Sequence, residues 1–326
     1  MQKVQDIYTF LPLLKSTIWG GERILRYKGI QSRLNTIGES WEISDMPGSQ
    51  SVVECGPDAG MTLSALVAQY GQALVGEKSF GRFGARFPLL IKFIDTRHDL
   101  SVQVHPDDEI AMRRHGSLGK SEMWYVIDAE EGAKIHIGFK HRLTPDEYQR
   151  MVSDKTIMDA VASYDVRPGD VFYLPAGRIH SIGAGILLAE VQDSSDITYR
   201  IFDFDRRDAS GNLRQLHTEE AAEAIDFSTL SDYRHDYDRM AADPALVGCS
   251  HFNVRRIDVG EGVGSHDFKP CGEFVILMCV SGSVMLKPQS AEQPSVLLPC
   301  GHSALVAASA AQPNLDGEGI LLAVTL

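Results

Sequence analysis

Apolar and polar positions along this 326-residue chain fall mostly into short alternating runs, which predicts a mainly β protein with a few helices. Residues 1–60 read as irregular segments and short strands, punctuated by Gly20-Gly21 and Pro47-Gly48, with Ser40 to Ser44 alternating as a strand. Leu63, Leu66, Val67, Tyr70 and Leu74 recur at helical spacing and predict a helix over 62–79. Leu89 to Asp95 is an apolar run broken by one charge, Lys92. In the next run Ser101, Gln103 and His105 share one face while Val102 and Val104 share the other, and Lys120, Glu122 and Trp124 likewise fall on a common face. The clearest helix is predicted from Thr144 to Val161, where Thr144 as N-cap, Pro145 at the first position and Glu147 make a capping box. Strands return at 171–174, 186–191 and 196–203; a polar, helical connector follows, and residues 249–326 again read as β.

Composition narrows the picture. With 44% hydrophobic residues the chain can bury a large core, and the connector divides it into 1–230 and 231–326. A net charge of -13 argues against nucleic acid or an anionic membrane as partner and leaves small anions open. The five cysteines are odd in number and scattered, so reduced, mostly buried thiols are expected, with neither a disulfide framework nor a thiolate zinc site. No apolar run is long enough for a signal peptide or a membrane span, and a cytoplasmic location is expected.

Two stretches carry the chemistry. Gly169 to His180 has the spacing of the second cupin motif (Gly, five residues, Pro, one, Gly, two, His), and Gln103 and His105 stand where the first motif places its leading ligands. Glu122 can complete the set. The expected fold is therefore mainly β: two cupin-type β-barrels (jelly rolls) with a few helices inserted in and between them. The second barrel is a weak repeat, in which Pro299-Cys300-Gly301 copies Pro175-Ala176-Gly177 but Ala304 replaces the histidine and Phe268 falls near the first-motif position. Glu273 and His266 alone give too few donors for a second ion.

Two imidazoles, a carboxylate and an amide oxygen suit zinc first and also admit manganese, iron or cobalt. Such a site keeps a position for water or substrate, which implies Lewis-acid work by one Zn2+ per chain. The bland alternative is a metal-free barrel whose histidines hydrogen-bond in the core, but each histidine sits inside its own motif. Gln103 is either a ligand or a supporting group behind the ligands. Lys120, on the face of Glu122, projects into the same cavity and can stabilise an oxyanion or shuttle a proton. Lys92 is either an edge residue reaching solvent or a functional group. Arg200, in an apolar strand, needs an anion nearby, either Asp203 or a substrate. His98, His115, His136, His141 and His217 read as surface residues, and Asp205 to Asp208 as a solvated turn.

Ser101 to Pro106, Lys120 to Tyr125, Pro175 to Ser181, Thr198-Tyr199-Arg200, Trp19-Gly20-Gly21 and Gly38 to Glu42 together resemble type I mannose-6-phosphate isomerases in their short bacterial form, in order and spacing over about residues 8–225. The resemblance implies zinc bound by Gln103, His105, Glu122 and His180, with Arg200 matching the catalytic arginine and Lys120 the active-site lysine. It also implies Ser101 and Lys92 near the sugar phosphate. The implied reaction interconverts mannose 6-phosphate and fructose 6-phosphate through an enediol(ate), without a redox cofactor. Zinc-bound water, a carboxylate and Lys120 all stay open as the group that moves the proton. The partner is then a small sugar phosphate, with no nucleic acid or membrane, and the protein a monomer or weak homodimer. A metal isomerase for free mannose or glucose 6-phosphate, or a sugar-binding regulator without turnover, are the competing readings.

Overall fold

A computed structural model describes residues 3–207, 210–261 and 267–326. Two antiparallel sheets face each other across a shared core. One has five strands, in the order Val161–Asp165, Lys134–Phe139, His180–Ile182, Val102–Val104, Tyr199–Phe202. The other has seven, running from Arg234–His235 through Val171–Leu174, Glu122–Ala129, Ile186–Asp193, Leu89–Thr96 and Leu13–Gly21 to Ile37–Ile43. This is the mainly β, jelly-roll architecture expected.

Strand Leu89–Thr96 is buried along its whole length because both faces of its sheet are covered. Ile91 and Phe93 join the large core shared with the C-terminal strands, whereas Ile94 packs with Trp19, Trp124 and Leu188 between the two facing sheets. By the period of two, Lys92 turns inward with Ile94. It is no edge residue: its side chain is 7% exposed.

The C-terminal strands form an eight-stranded sheet built on two long strands, Val275–Lys287 and Asn314–Thr325. Ile7–Leu11 pairs with Ser303–Val306 and with Val52–Val53, so these N-terminal residues lie in the sheet of the C-terminal strands. The weak sequence repeat is also a structural one. Gly177 and Gly301 both have left-handed backbone, and their N–H groups donate to the carbonyls of His105 and Cys279, each at 2.8 Å. His180 opposes Gln103 as Ala304 opposes Leu277. The register therefore puts Cys279, not Phe268, where His105 stands; Phe268 is a core side chain. Leu277, Cys279 and Ala304 offer no ligand set, and Glu273 is engaged with Ser79 and Lys78. His266 lies outside the described residues.

Three sequence expectations need correction. The helix over 62–79 is three short ones, Leu63–Tyr70, Gln72–Val75 and Glu77–Phe83, broken where Gly71 and Gly76 take positive φ. The capping box at Thr144 and Glu147 forms, but the helix ends at Ser153 and the chain resumes as the short helix Ile157–Ala160 and a strand. Of the cysteines only Cys279 is buried, while Cys55 and Cys271 are exposed; all five are free thiols.

Candidate active site

Three strands of the five-stranded sheet set side chains in one row. Gln103 is the register partner of His180 on one side and of Arg200 on the other, and side chains paired this way stand about 4.5–5.5 Å apart on one face. The facing sheet brings Glu122, and the turn after Val104 brings His105. Here His105, Glu122 and His180 are all buried, with one potential ligand atom from each lying within 4.8 Å of the others.

The donor set fits a metal ion. Nδ1 of His105 lies 2.8 Å from the carbonyl of Ile197 and Nδ1 of His180 lies 2.8 Å from that of Arg178, so each ring donates there and keeps its Nε2 lone pair free. Those Nε2 atoms reach Glu122 at 3.2 and 3.5 Å. Both carboxylate oxygens of Glu122 are buried; Oε1 is paired with the Lys120 ammonium, whereas Oε2 faces Nε2 of His180 with no hydrogen bond, a costly state unless a further cation sits there. The Gln103 amide lies 3.3 Å from Nε2 of His180, within reach of the same point once its oxygen faces it.

Electrostatics agree. Burial pushes His180 down to about 3 against the upward pull of Glu122. His105 is lowered by burial first and by Lys120 next. Both are neutral, as metal ligands must be. Burial alone would raise Glu122, but Lys120, His105 and His180 outweigh it and hold the carboxyl well below its ordinary value. Lys120 stands 2.5 Å from Glu122 and 3.3 Å from Nε2 of His105.

A cavity of about 250 Å³ opens beside these groups, lined by Ser101, Gln103, Lys120, Glu122, Lys92 and Arg200. Every sequence-derived site residue except His105 and His180 is thus on its wall, and those two flank Glu122. Sequence reasoning missed several others. Glu190 is one: it meets Lys92 at 3.0 Å and accepts from Trp124 Nε1 at 2.8 Å. Glu39, 3.7 Å from Lys92, is another. For Glu190 the signal was available, as the one charge in the apolar run Ile186 to Val191, whereas Glu39 shares its strand with Glu42 and had no such mark. Burial opposes the charge on Lys92, yet the carboxylates of Glu190, Glu39 and Glu122 overcome it and raise its pKa.

Of the two anions expected beside Arg200, Asp203 pairs instead with Arg206 and Arg214, which leaves the substrate. Arg200 instead donates from Nη1 to the carbonyl of Gln215 at 2.9 Å, and its Nε is buried without a partner. The turn at Asp205 is solvated as expected at Asp205 and Arg207, both exposed, whereas Arg206 is largely covered and Asp208 lies outside the described residues. Phe204 and Asp205 both have positive φ, strain of order 1–3 kcal/mol each that the surrounding contacts must hold. Among the histidines read as surface residues, His98, His115 and His141 are exposed, whereas His136 and His217 are half-buried.

The site defines a jelly-roll protein with a mixed nitrogen and oxygen metal centre. The type I phosphomannose isomerase catalytic domain matches residues 7–137. The mannose-6-phosphate isomerase of Bacillus subtilis (strain 168) is 36% identical over 277 residues, covering 84% of this chain and 85% of that one. A crystal structure of a mannose 6-phosphate isomerase from Bacillus subtilis superposes with a TM-score of 0.87 at 30% identity, over 99% of this chain and 100% of that chain. A zinc-bound holo form of another mannose 6-phosphate isomerase shares the fold, with a TM-score of 0.79 at 16% identity over 98% and 99% of the two chains. The chain belongs to the type I phosphomannose isomerase family.

Proposed function

We propose that this chain is a zinc-dependent isomerase that interconverts mannose 6-phosphate and fructose 6-phosphate. The observation that carries the reading is Glu122, whose buried carboxylate, with Oε2 left without a hydrogen bond, meets two neutral imidazoles on the wall of a polar cavity. The relatives' activity supports the choice of substrate. His105, His180, Glu122 and Gln103 would hold one zinc ion, which supplies Lewis-acid stabilisation of negative charge on the substrate's oxygens.

The reaction takes a proton from the hydroxyl-bearing carbon beside the carbonyl and returns one to the carbonyl carbon, with a second proton passing between their two oxygens, and negative charge appears on oxygen in the enediolate between the two steps. Lys120, lodged among the ligands, donates hydrogen bonds to the oxygens where that charge develops. Arg200, one strand step from Gln103 and on the cavity wall, stabilises the same charge with its guanidinium. Ser101, whose hydroxyl lies 3.3 Å from the Gln103 amide, orients that amide and touches the sugar. Lys92, paired with Glu190, fixes that wall of the cavity. The trapped carboxylates and ammoniums need no reorganisation as charge develops, which is where such a site gains rate.

Turnover of mannose 6-phosphate, mannose and glucose 6-phosphate by the same preparation tests the reading. Mannose 6-phosphate is expected to be converted with the highest kcat/KM of the three. Preference for free mannose or glucose 6-phosphate would replace the substrate, and binding without turnover of any would make the protein a sugar-binding regulator.

A further inference from the structure

The cavity is electrically lopsided. At one end Glu122, Glu190 and Glu39 outnumber Lys92 and Lys120, and both lysines are already engaged by carboxylates. Near the other end two guanidiniums, Arg200 and Arg214, line the cavity, and a third, Arg206, shares the carboxylate of Asp203 with Arg214; Asp205 is held by Lys155 outside the cavity lining, and Asp196 sits exposed on the cavity's rim. Like charges gathered this way repel unless an anion joins them.

Arg214 is built into the wall. Its Nε donates to Asp203 at 2.7 Å, and its Nη2 pairs with the same carboxylate. Its side chain is 23% exposed and lines the cavity beside Arg200. The loop that carries it is tied down at both ends. Arg207 and Leu213 bridge across it, the Gln215 carbonyl accepts from Arg200, and the backbone N–H of Arg200 donates to Nδ1 of His217 at 3.2 Å. Burial and then the nearby charge of Arg214 lower the pKa of Arg200, as two cations facing one space should.

From this arrangement we infer that Arg214, positioned by Asp203, is the residue that receives the phosphate group of the substrate, next to Arg200 and away from Lys92. The inference rests on the sugar-phosphate reading of the cavity and deepens it. A phosphate dianion at Lys92 would meet Glu190 and Glu39, whereas at Arg214 it meets guanidiniums whose planar donors match its oxygens. The row from His180 through Gln103 to Arg200 then runs along the substrate, with the reacting carbons between the metal ligands and Arg200 and the phosphate beyond Arg200, at Arg214. A sugar without phosphate leaves this group of guanidiniums with Asp203 as the one carboxylate that pairs with them, so this end selects phosphorylated sugars.

The test compares zinc-loaded wild type with Arg214→Ala, Arg214→Lys and Asp203→Asn, using Arg207→Ala, an exposed cation of the same loop, as a control for net charge. Arg214→Ala is expected to raise KM for mannose 6-phosphate by ~10- to 100-fold, with a smaller change in kcat and unaltered zinc content. Arg214→Lys recovers part of the loss, Asp203→Asn shifts KM in the same direction, and Arg207→Ala leaves KM in place. Calorimetric titration with inorganic phosphate should show a parallel loss of affinity in Arg214→Ala. Unchanged KM and phosphate affinity in that variant, or equal losses in Arg207→Ala, would overturn the assignment. If wild type turns over no mannose 6-phosphate, the functional reading fails, and the phosphate titration still decides the role of Arg214.

Discussion

Glu190 stands directly opposite Lys92 in the register of strands Ile186–Asp193 and Leu89–Thr96, and their side chains meet at 3.0 Å inside the cavity. Both are almost fully buried. Two charges taken out of water hold each other, and the loss of one strands the other. Lys92→Met is therefore expected to destabilise the fold by about 3–5 kcal/mol, and the double variant with Glu190→Gln by less than the two singles combined. Urea unfolding of the three variants measures this. Additive losses would mean that the pair is not coupled.

Acid should weaken the metal-free protein through its ligands. His180 is pushed down to about 3 and His105 is lowered, both by burial first, whereas in the unfolded chain each titrates near ~6.5. Below that pH the unfolded chain takes up protons that the folded one refuses. Stability then falls with pH by up to about 1.4 kcal/mol per unit for each histidine. Glu122, held low by Lys120 and the imidazoles, adds a loss of the same sign as pH falls through its folded value. Unfolding of the metal-free protein at two pH values, one near neutrality and one below the histidine range, shows the trend; equal stability at both would contradict it.

Arg200→Ala and Lys120→Met separate chemistry from metal binding. Loss of an oxyanion-stabilising donor costs about a hundredfold to a thousandfold in kcat, and neither side chain belongs to the expected ligand set. Turnover should collapse in both variants while zinc content stays near that of wild type. Wild-type kcat in Arg200→Ala would remove it from the reaction.

Much of this site was legible in the sequence because each ligand is fixed by a local rule. Strand alternation puts Ser101, Gln103 and His105 on one face, and the Pro175-Ala176-Gly177 turn returns the chain to set His180 opposite Gln103. The partners that lie far apart in the chain were not legible. Glu190 and Glu39 reach Lys92 only through strand register, and Arg214 enters the cavity on a loop whose course depends on Asp203. The repeat shows the same limit. Its glycine turn was readable, but with no ligand in the second copy nothing in the sequence marked Cys279 as the counterpart of His105, and that equivalence came from backbone hydrogen bonds. The 62–79 segment failed for a local reason, because its apolar spacing runs straight through Gly71 and Gly76, where the backbone turns.

The central claim is that His105, Glu122 and His180 hold the metal that makes this chain an isomerase. Its most direct test is a zinc titration of chelator-treated protein, with mannose 6-phosphate turnover and bound zinc followed together in wild type and His180→Ala. The wild type is expected to be inactive after chelation and to regain activity in proportion to zinc until one ion per chain is bound, whereas His180→Ala stays folded but binds zinc poorly and stays inactive. Full turnover by the metal-free wild type, or stoichiometric zinc in His180→Ala, would contradict the account.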